Sequence, residues 1–145
     1  MSKPTPRLTR RSLPMALLRA REAVMSRFRP LLAAHGVTEQ QWRVIRILGE
    51  SGPLDATELS KRCVILMPSL TRIIRTLTER RLITRSSDRA DGRRIALDVT
   101  PKARTMIISM LRDIERVYVA LELEFGQARL ERTLDVLETL AGIGR

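Results

Sequence analysis

Between Lys61 and Arg94 the chain sets 10 basic side chains against 3 acidic ones. Arg72, Arg75, Arg89, Arg93 and Arg94 supply planar, forked guanidinium donors, and Ser69 and Thr71 place hydroxyls beside them. Arginines match the paired acceptors of guanine O6/N7 and of phosphate, while small hydroxyl residues suit phosphates and thymine methyls. The chemistry on offer is recognition of a polyanion rather than bond making. One histidine and one cysteine leave no nucleophile beside a base, no metal-spaced cluster and no phosphate-cradling loop, so no enzyme, cofactor or metal site is expected.

These side chains need a scaffold that aims them outward. Leu70, Ile73, Ile74 and Leu77 recur at the i, i+3, i+4, i+7 spacing of one buried helical stripe, which turns Arg72 and Arg75 away from the core. Pro68 suits a first helical position because its missing N–H is one that a helix leaves unpaired anyway, so the helix is expected to run from Pro68 to Arg80. Ile95, Leu97 and Val99 alternate with Ala96 and Asp98, the pattern of a strand with one buried face, and Leu82–Ser86 is its expected partner. Asp91-Gly92 between them tolerates the positive φ of a hairpin tip, flanked by Arg89, Arg93 and Arg94. Upstream, Asp55 with Glu58 opens a short helix reaching Arg62 or Cys63, with Leu59 inward. Two short helices in tight succession, the second basic on its outer face and followed by a hairpin, form a winged helix-turn-helix.

The rest of the chain is helical. Ser12–Ala34 carries the stripe Leu17, Val24, Phe28 and Leu31, interrupted by Arg21, whose guanidinium needs an acceptor. Gly36 ends that helix by a left-handed cap, and Thr38 with Gln41 forms a capping box for the next, which buries Trp42, Ile45 and Leu48 before Pro53. Thr100-Pro101 starts a long helix with Ile107, Leu111, Ile114, Tyr118, Leu121 and Phe125 in one stripe; Gly126 breaks it, and a last helix carries Leu130, Leu134, Leu137 and Leu140. Helices this long and this apolar on one side exceed what a small winged domain can cover, so a symmetric homodimer is expected. The expected fold is mainly α with a small β-hairpin. Residues 1–11 form a mobile basic arm, 12–35 and 101–145 dimerisation helices, and 36–100 the DNA-binding lobe.

The formal net charge of +11 lies wholly in the first hundred residues, which hold 20 Lys+Arg and 9 Asp+Glu against 7 and 7 in the remainder. Aromatics at 3% argue against single-strand binding by base stacking, leaving double-stranded DNA as the expected partner. A lone cysteine excludes an intrachain disulfide framework, and neither a signal-peptide core nor a membrane-length apolar run is present in the sequence, so a soluble cytoplasmic protein is expected. Cys63 follows Lys61 and Arg62, as a redox-sensing regulator would require, but it sits beside Val64, Ile65 and Leu66 and is expected to be buried and inert. A ligand-free architectural DNA protein is the other reading, told apart by its equal binding to random duplex.

The strings PSLTRIIRTLTERRLITR, DRADGRR and IALDVTPKA, in this order of elements, closely resemble the multiple antibiotic resistance regulator (MarR) family over about residues 12 to 141. LLRAREAVMSRFRPLLAAHGVTEQQWRVIRILGES is similar to the subgroup that regulates homoprotocatechuate (3,4-dihydroxyphenylacetate) degradation operons, and TEQQWRVIRIL is its most telling part. The family wing reads Asp-x-Arg-Asp-x-Arg; Asp88, Asp91 and Arg93 match, but Ala90 stands at the middle arginine with Arg89 beside it. The resemblance implies a homodimeric repressor whose Pro68–Arg80 helices enter successive major grooves of a pseudo-palindrome while the wings reach minor grooves. It also implies release by a small phenolic acid, 4-hydroxyphenylacetate or homoprotocatechuate, bound between the dimer helices and the DNA-binding lobe. For that carboxylate Arg21 is the first candidate, with Ser26, His35, Trp42 and Arg46 supplying hydrogen bonds and an aromatic wall. In the absence of a ligand role, Arg21 forms a structural ion pair, to a carboxylate of its own or of the partner chain, His35 caps a helix beside Gly36, and Trp42 belongs to the core.

Overall fold

Leu70, Ile73, Ile74 and Leu77 are all buried, and with them the helix that carries the basic face is fixed. The computed structural model describes residues 12–87 and 95–143, in the order α1 (Leu13–Ala34), α2 (Glu39–Ser51), α3 (Ala56–Cys63), α4 (Met67–Glu79), β1 (Ile83–Ser87), β2 (Ile95–Val99), α5 (Pro101–Phe125) and α6 (Gln127–Ala141). The basic arm expected over residues 1–11 and the hairpin tip with Arg89, Arg93 and Arg94 lie outside the described residues.

The starts of four helices follow their capping side chains. Ser12 Oγ accepts from Met15 N–H, Thr38 and Gln41 cap α2 reciprocally, Asp55 accepts from Glu58 N–H at 2.8 Å, and Thr100 accepts from Ala103 N–H. Thr100 also donates to the Arg81 carbonyl at 2.7 Å, which ties the start of α5 to the turn behind α4. Gly36, at φ +72°, closes α1 as the sequence requires. α4 begins at Met67, one residue ahead of Pro68, because the proline ring is equally tolerated at the second helical position, where no N–H is needed.

β1 and β2 pair antiparallel with Ile83 opposite Val99 and Ser87 opposite Ile95. Leu97 and Val99 are buried, but Ile95 is 51% exposed, contrary to the single buried face expected for β2. The cause is reach: Leu54 adds one antiparallel bridge at Leu97, so the sheet is covered at its base while its outer end projects beyond the core. The core is a lobe of α2, α3, α4 and the hairpin base, centred on Val44, Ile45, Leu48, Leu59, Leu70 and Leu77.

The flanking helices are different. α1 buries Phe28 and Leu32, α5 buries Ala103 and Met110, and α6 buries no residue at all. Leu17 and Val24 of the expected α1 stripe stand open, as do Leu123, Leu134, Val136 and Leu137 of the C-terminal pair. Among the described residues no helix is long and apolar enough to cross a membrane.

Candidate DNA-reading face and ligand cavity

The outer face of α4 is built by the stripe beneath it. Arg72 and Arg75 are exposed, Ser69 is half-buried near the helix start, and the exposed Thr71 donates through Oγ1 back to the Met67 carbonyl at 2.9 Å. No acidic side chain lies in the first turn of α4, so the positive end of the helix dipole and the two guanidinium groups add rather than cancel. On β1, Arg85 is exposed and followed by Ser86 and Ser87. Arg85 is not among the arginines singled out in the sequence; it pairs with Leu97, and its exposure becomes legible once the register is known.

On the other side of α2, where it meets α1 and α5, two cavities lie side by side. The larger, about 680 Å³, is walled by Arg21, Phe28, Trp42, Arg43, Arg46 and Tyr118. The smaller, about 380 Å³, includes Arg104, Ile107 and Leu111. Trp42, Arg46 and Ile114 belong to both. Trp42 is therefore half-buried, packed against the core and facing the cleft at once.

Of the five candidates for an effector site, Arg21, Trp42 and Arg46 are brought together here and two are not. Ser26 is exposed and its hydroxyl donates to the Ala23 carbonyl at 2.9 Å. His35 caps the end of α1 and its Nε2 faces Asp113 Oδ2 at 3.8 Å, so the cap reading describes its position. Arg21 pairs with Glu39 of its own chain; Glu39 also receives Arg43 at 3.2 Å and Arg29 at 3.7 Å. Glu39 and Arg43 are four apart on α2, a spacing visible in the sequence as an ion pair; that Arg21 and Arg29 reach the same carboxylate depends on how α1 crosses α2.

Arg46 donates through Nε to Glu50 at 2.9 Å. The Glu50 carboxylate and, to a smaller degree, the Tyr118 hydroxyl raise its pKa, against the opposing effect of burial, and keep it charged. Tyr118 is steadied by an edge-on contact with Phe28, ring centroids 5.4 Å apart. A guanidinium, a phenol and an indole thus share one corner of an apolar cleft. Such a corner suits a ligand with an aromatic ring and a carboxylate.

Cys63 is fully buried, and burial pushes its thiol up to about 11 despite the nearby Arg43 charge. A thiol kept neutral by the fold favours the folded state below the ordinary cysteine pKa, and this preference is lost as pH rises through about 11. Folded protein at neutral pH is expected to leave Cys63 unlabelled by iodoacetamide until denaturant is added. Rapid stoichiometric labelling of the folded protein, read by mass spectrometry, would restore the redox-sensing alternative.

Residues 35–94 match a sequence model described as the MarR family. The chain is 37% identical to the homoprotocatechuate degradative operon repressor of Escherichia coli over 133 residues, 92% of this chain and 90% of the relative. Its fold is similar to that of NadR in complex with 4-hydroxyphenylacetate, with 34% identity, a TM-score of 0.82 and 99% of each chain covered. It is also similar to the transcriptional repressor CouR bound to a 23-mer DNA duplex, at 26% identity and a TM-score of 0.82, covering 90% of this chain and 92% of that one.

Proposed function

This chain belongs to the MarR family of transcriptional regulators, and we propose that it is a homodimeric repressor of an aromatic-acid degradation operon, released from its operator by a phenolic carboxylic acid such as 4-hydroxyphenylacetate or homoprotocatechuate. The observation that carries this reading is the cavity between α2 and the flanking helices, which puts Arg46, Trp42 and Tyr118 at one corner. Its size falls within the range of small-ligand sites, about 300–1,000 Å³. The similarity to a 4-hydroxyphenylacetate complex supports the ligand class, and the relative's name supports a degradative operon as the target.

In this proposal residues 36–100 form the DNA-binding lobe, and 12–35 with 101–145 form the dimer. The apolar side chains left open on α1, α5 and α6 are what a second copy would cover. Two-fold symmetry then sets the paired α4 helices about one helical turn of DNA apart. Arg72 and Arg75 read base edges, Ser69 and Thr71 support phosphate and methyl contacts, and Arg85 with Arg89, Arg93 and Arg94 serves the minor groove through the wing. The ligand need only prefer the dimer that cannot grip DNA; a tenfold loss of operator affinity takes about 1.4 kcal/mol of coupling.

Arg46 replaces Arg21 as the principal carboxylate partner, since Arg46 is the guanidinium beside the Tyr118 hydroxyl and borders both cavities. Truncating a charge-assisted hydrogen-bond partner costs about 1.5–3 kcal/mol, roughly 10- to 100-fold in affinity. Titration of 4-hydroxyphenylacetate and homoprotocatechuate followed through the fluorescence of Trp42, the single tryptophan, is expected to report saturable binding that Arg46→Ala weakens by that factor. Saturable binding untouched in Arg46→Ala places the carboxylate elsewhere, and no binding of either acid removes the proposed effector class.

A further inference from the structure

Arg43 faces two ways. One of its terminal nitrogens, Nη2, donates to Glu39 Oε1 at 3.2 Å, inside the arginine cluster of the larger cavity; the other, Nη1, donates to the Cys63 carbonyl at 2.8 Å. Cys63 is the last residue of α3, and the turn that follows leads directly into α4. Val64 in that turn sits at φ +54°. A β-branched residue in the left-handed region is strained, and it stays there only while its neighbours hold it. Side-chain hydrogen bonds hold both sides of it: Arg43 on the Cys63 carbonyl and Ser60 Oγ on the Ile65 carbonyl at 2.6 Å. Cys63 and Val64 also border the larger cavity, so the strained residue is within sight of any ligand there.

We propose that Arg43 is a positioning residue that carries occupancy of the cavity to the recognition helix: a ligand carboxylate draws its guanidinium off the Cys63 carbonyl, the turn at Val64 relaxes, and α4 leaves the orientation that fits DNA. This rests on the effector reading above. Arg43 and Arg46 are three apart on α2 and both line the larger cavity, so a ligand carboxylate there has both guanidinium groups on its walls. A second carboxylate beside Glu39 competes well, because a guanidinium can bond a carboxylate through two parallel N–H groups at once, whereas it gives the Cys63 carbonyl only one. Glu39 already shares its charge among Arg21, Arg29 and Arg43, which weakens its hold on each of them.

The test compares full-length protein with Arg43→Gln in three readouts: Trp42 fluorescence with 4-hydroxyphenylacetate, operator affinity with and without that acid, and amide hydrogen exchange at residues 64–67 without ligand. Wild type is expected to lose tenfold or more in operator affinity on adding the acid. In Arg43→Gln the acid is expected still to bind saturably, at a penalty no larger than about 100-fold; operator affinity is expected to be lowered already without acid and to change less than about twofold on adding it, and exchange in the turn is expected to be faster. Full release in the variant, unchanged exchange, or loss of all acid binding overturns the link; the last outcome makes Arg43 the ligand's own anchor. Wild type that binds no acid overturns the effector reading, and the exchange comparison then still decides whether Arg43 holds the turn. Should Arg43→Gln fail to fold, Val64→Gly serves, since glycine occupies this φ without strain: release reduced severalfold supports the link, and full release contradicts it.

Discussion

Arg72→Ala removes operator binding while the dimer survives. Arg72 is exposed on the face of α4 opposite Leu70, Ile73, Ile74 and Leu77, so its truncation opens no cavity and the lobe keeps its stability. A forked guanidinium pair on a base edge is worth about 1–3 kcal/mol of discrimination. A two-fold dimer on a pseudo-palindrome uses the contact twice, about 2–6 kcal/mol in all, which is a loss of roughly 30-fold to more than 10,000-fold. Anisotropy on operator DNA measures this, with size-exclusion chromatography as the control for the dimer. A normal shift would contradict the recognition assignment. An equal fractional loss on random duplex would move Arg72 from base to phosphate.

Leu137→Glu is expected to split the dimer and, with it, operator affinity. Leu137 and Leu134 stand 39% and 45% exposed on α6, a helix that buries nothing against its own chain. A carboxylate there harms the single chain little, but in a dimer seam it must be taken out of water without a partner. Losing the second half-site removes an effective-concentration gain of about 10²–10⁴. Light scattering at micromolar protein should report a monomer with an unchanged helical circular dichroism spectrum. A stable dimer would show that α6 faces solvent and that the copies meet elsewhere.

What the sequence specifies by local rules is what the structure bears out most closely. The stripe of α4, the reciprocal cap of Thr38 and Gln41, the Asp55 start of α3 and the Thr100 start of α5 all rest on side chains within a few residues of the groups they serve. Features decided at long range were not legible. The period-two pattern puts Ile95 with Leu97 and Val99, but only the position of Leu54 says where the covering ends. Trp42 falls on the inward stripe of α2, and only the separation of α1, α2 and α5 turns it into a cavity wall. Arg21 announces its need for an acceptor, whereas the identity of Glu39 depends on the crossing of two helices. Tyr118 read as one member of an apolar stripe, and its hydroxyl became informative once Arg46 was placed beside it. Ser26 spends its hydroxyl on the Ala23 carbonyl one turn away, whereas the Asp113 that faces His35 comes from α5 and could not be read locally.

The central claim is tested most directly by fluorescence anisotropy of the purified protein on its own upstream intergenic DNA, at fixed salt, with and without 4-hydroxyphenylacetate and homoprotocatechuate. Random duplex at the same salt is the reference, because the phosphate contribution to affinity depends steeply on ionic strength. The expected result is binding at least about a thousandfold tighter than to random DNA, weakened tenfold or more by one of the two acids. Equal affinity for both duplexes would contradict sequence-specific reading and favour an architectural role; selective binding indifferent to both acids would contradict the proposed effector.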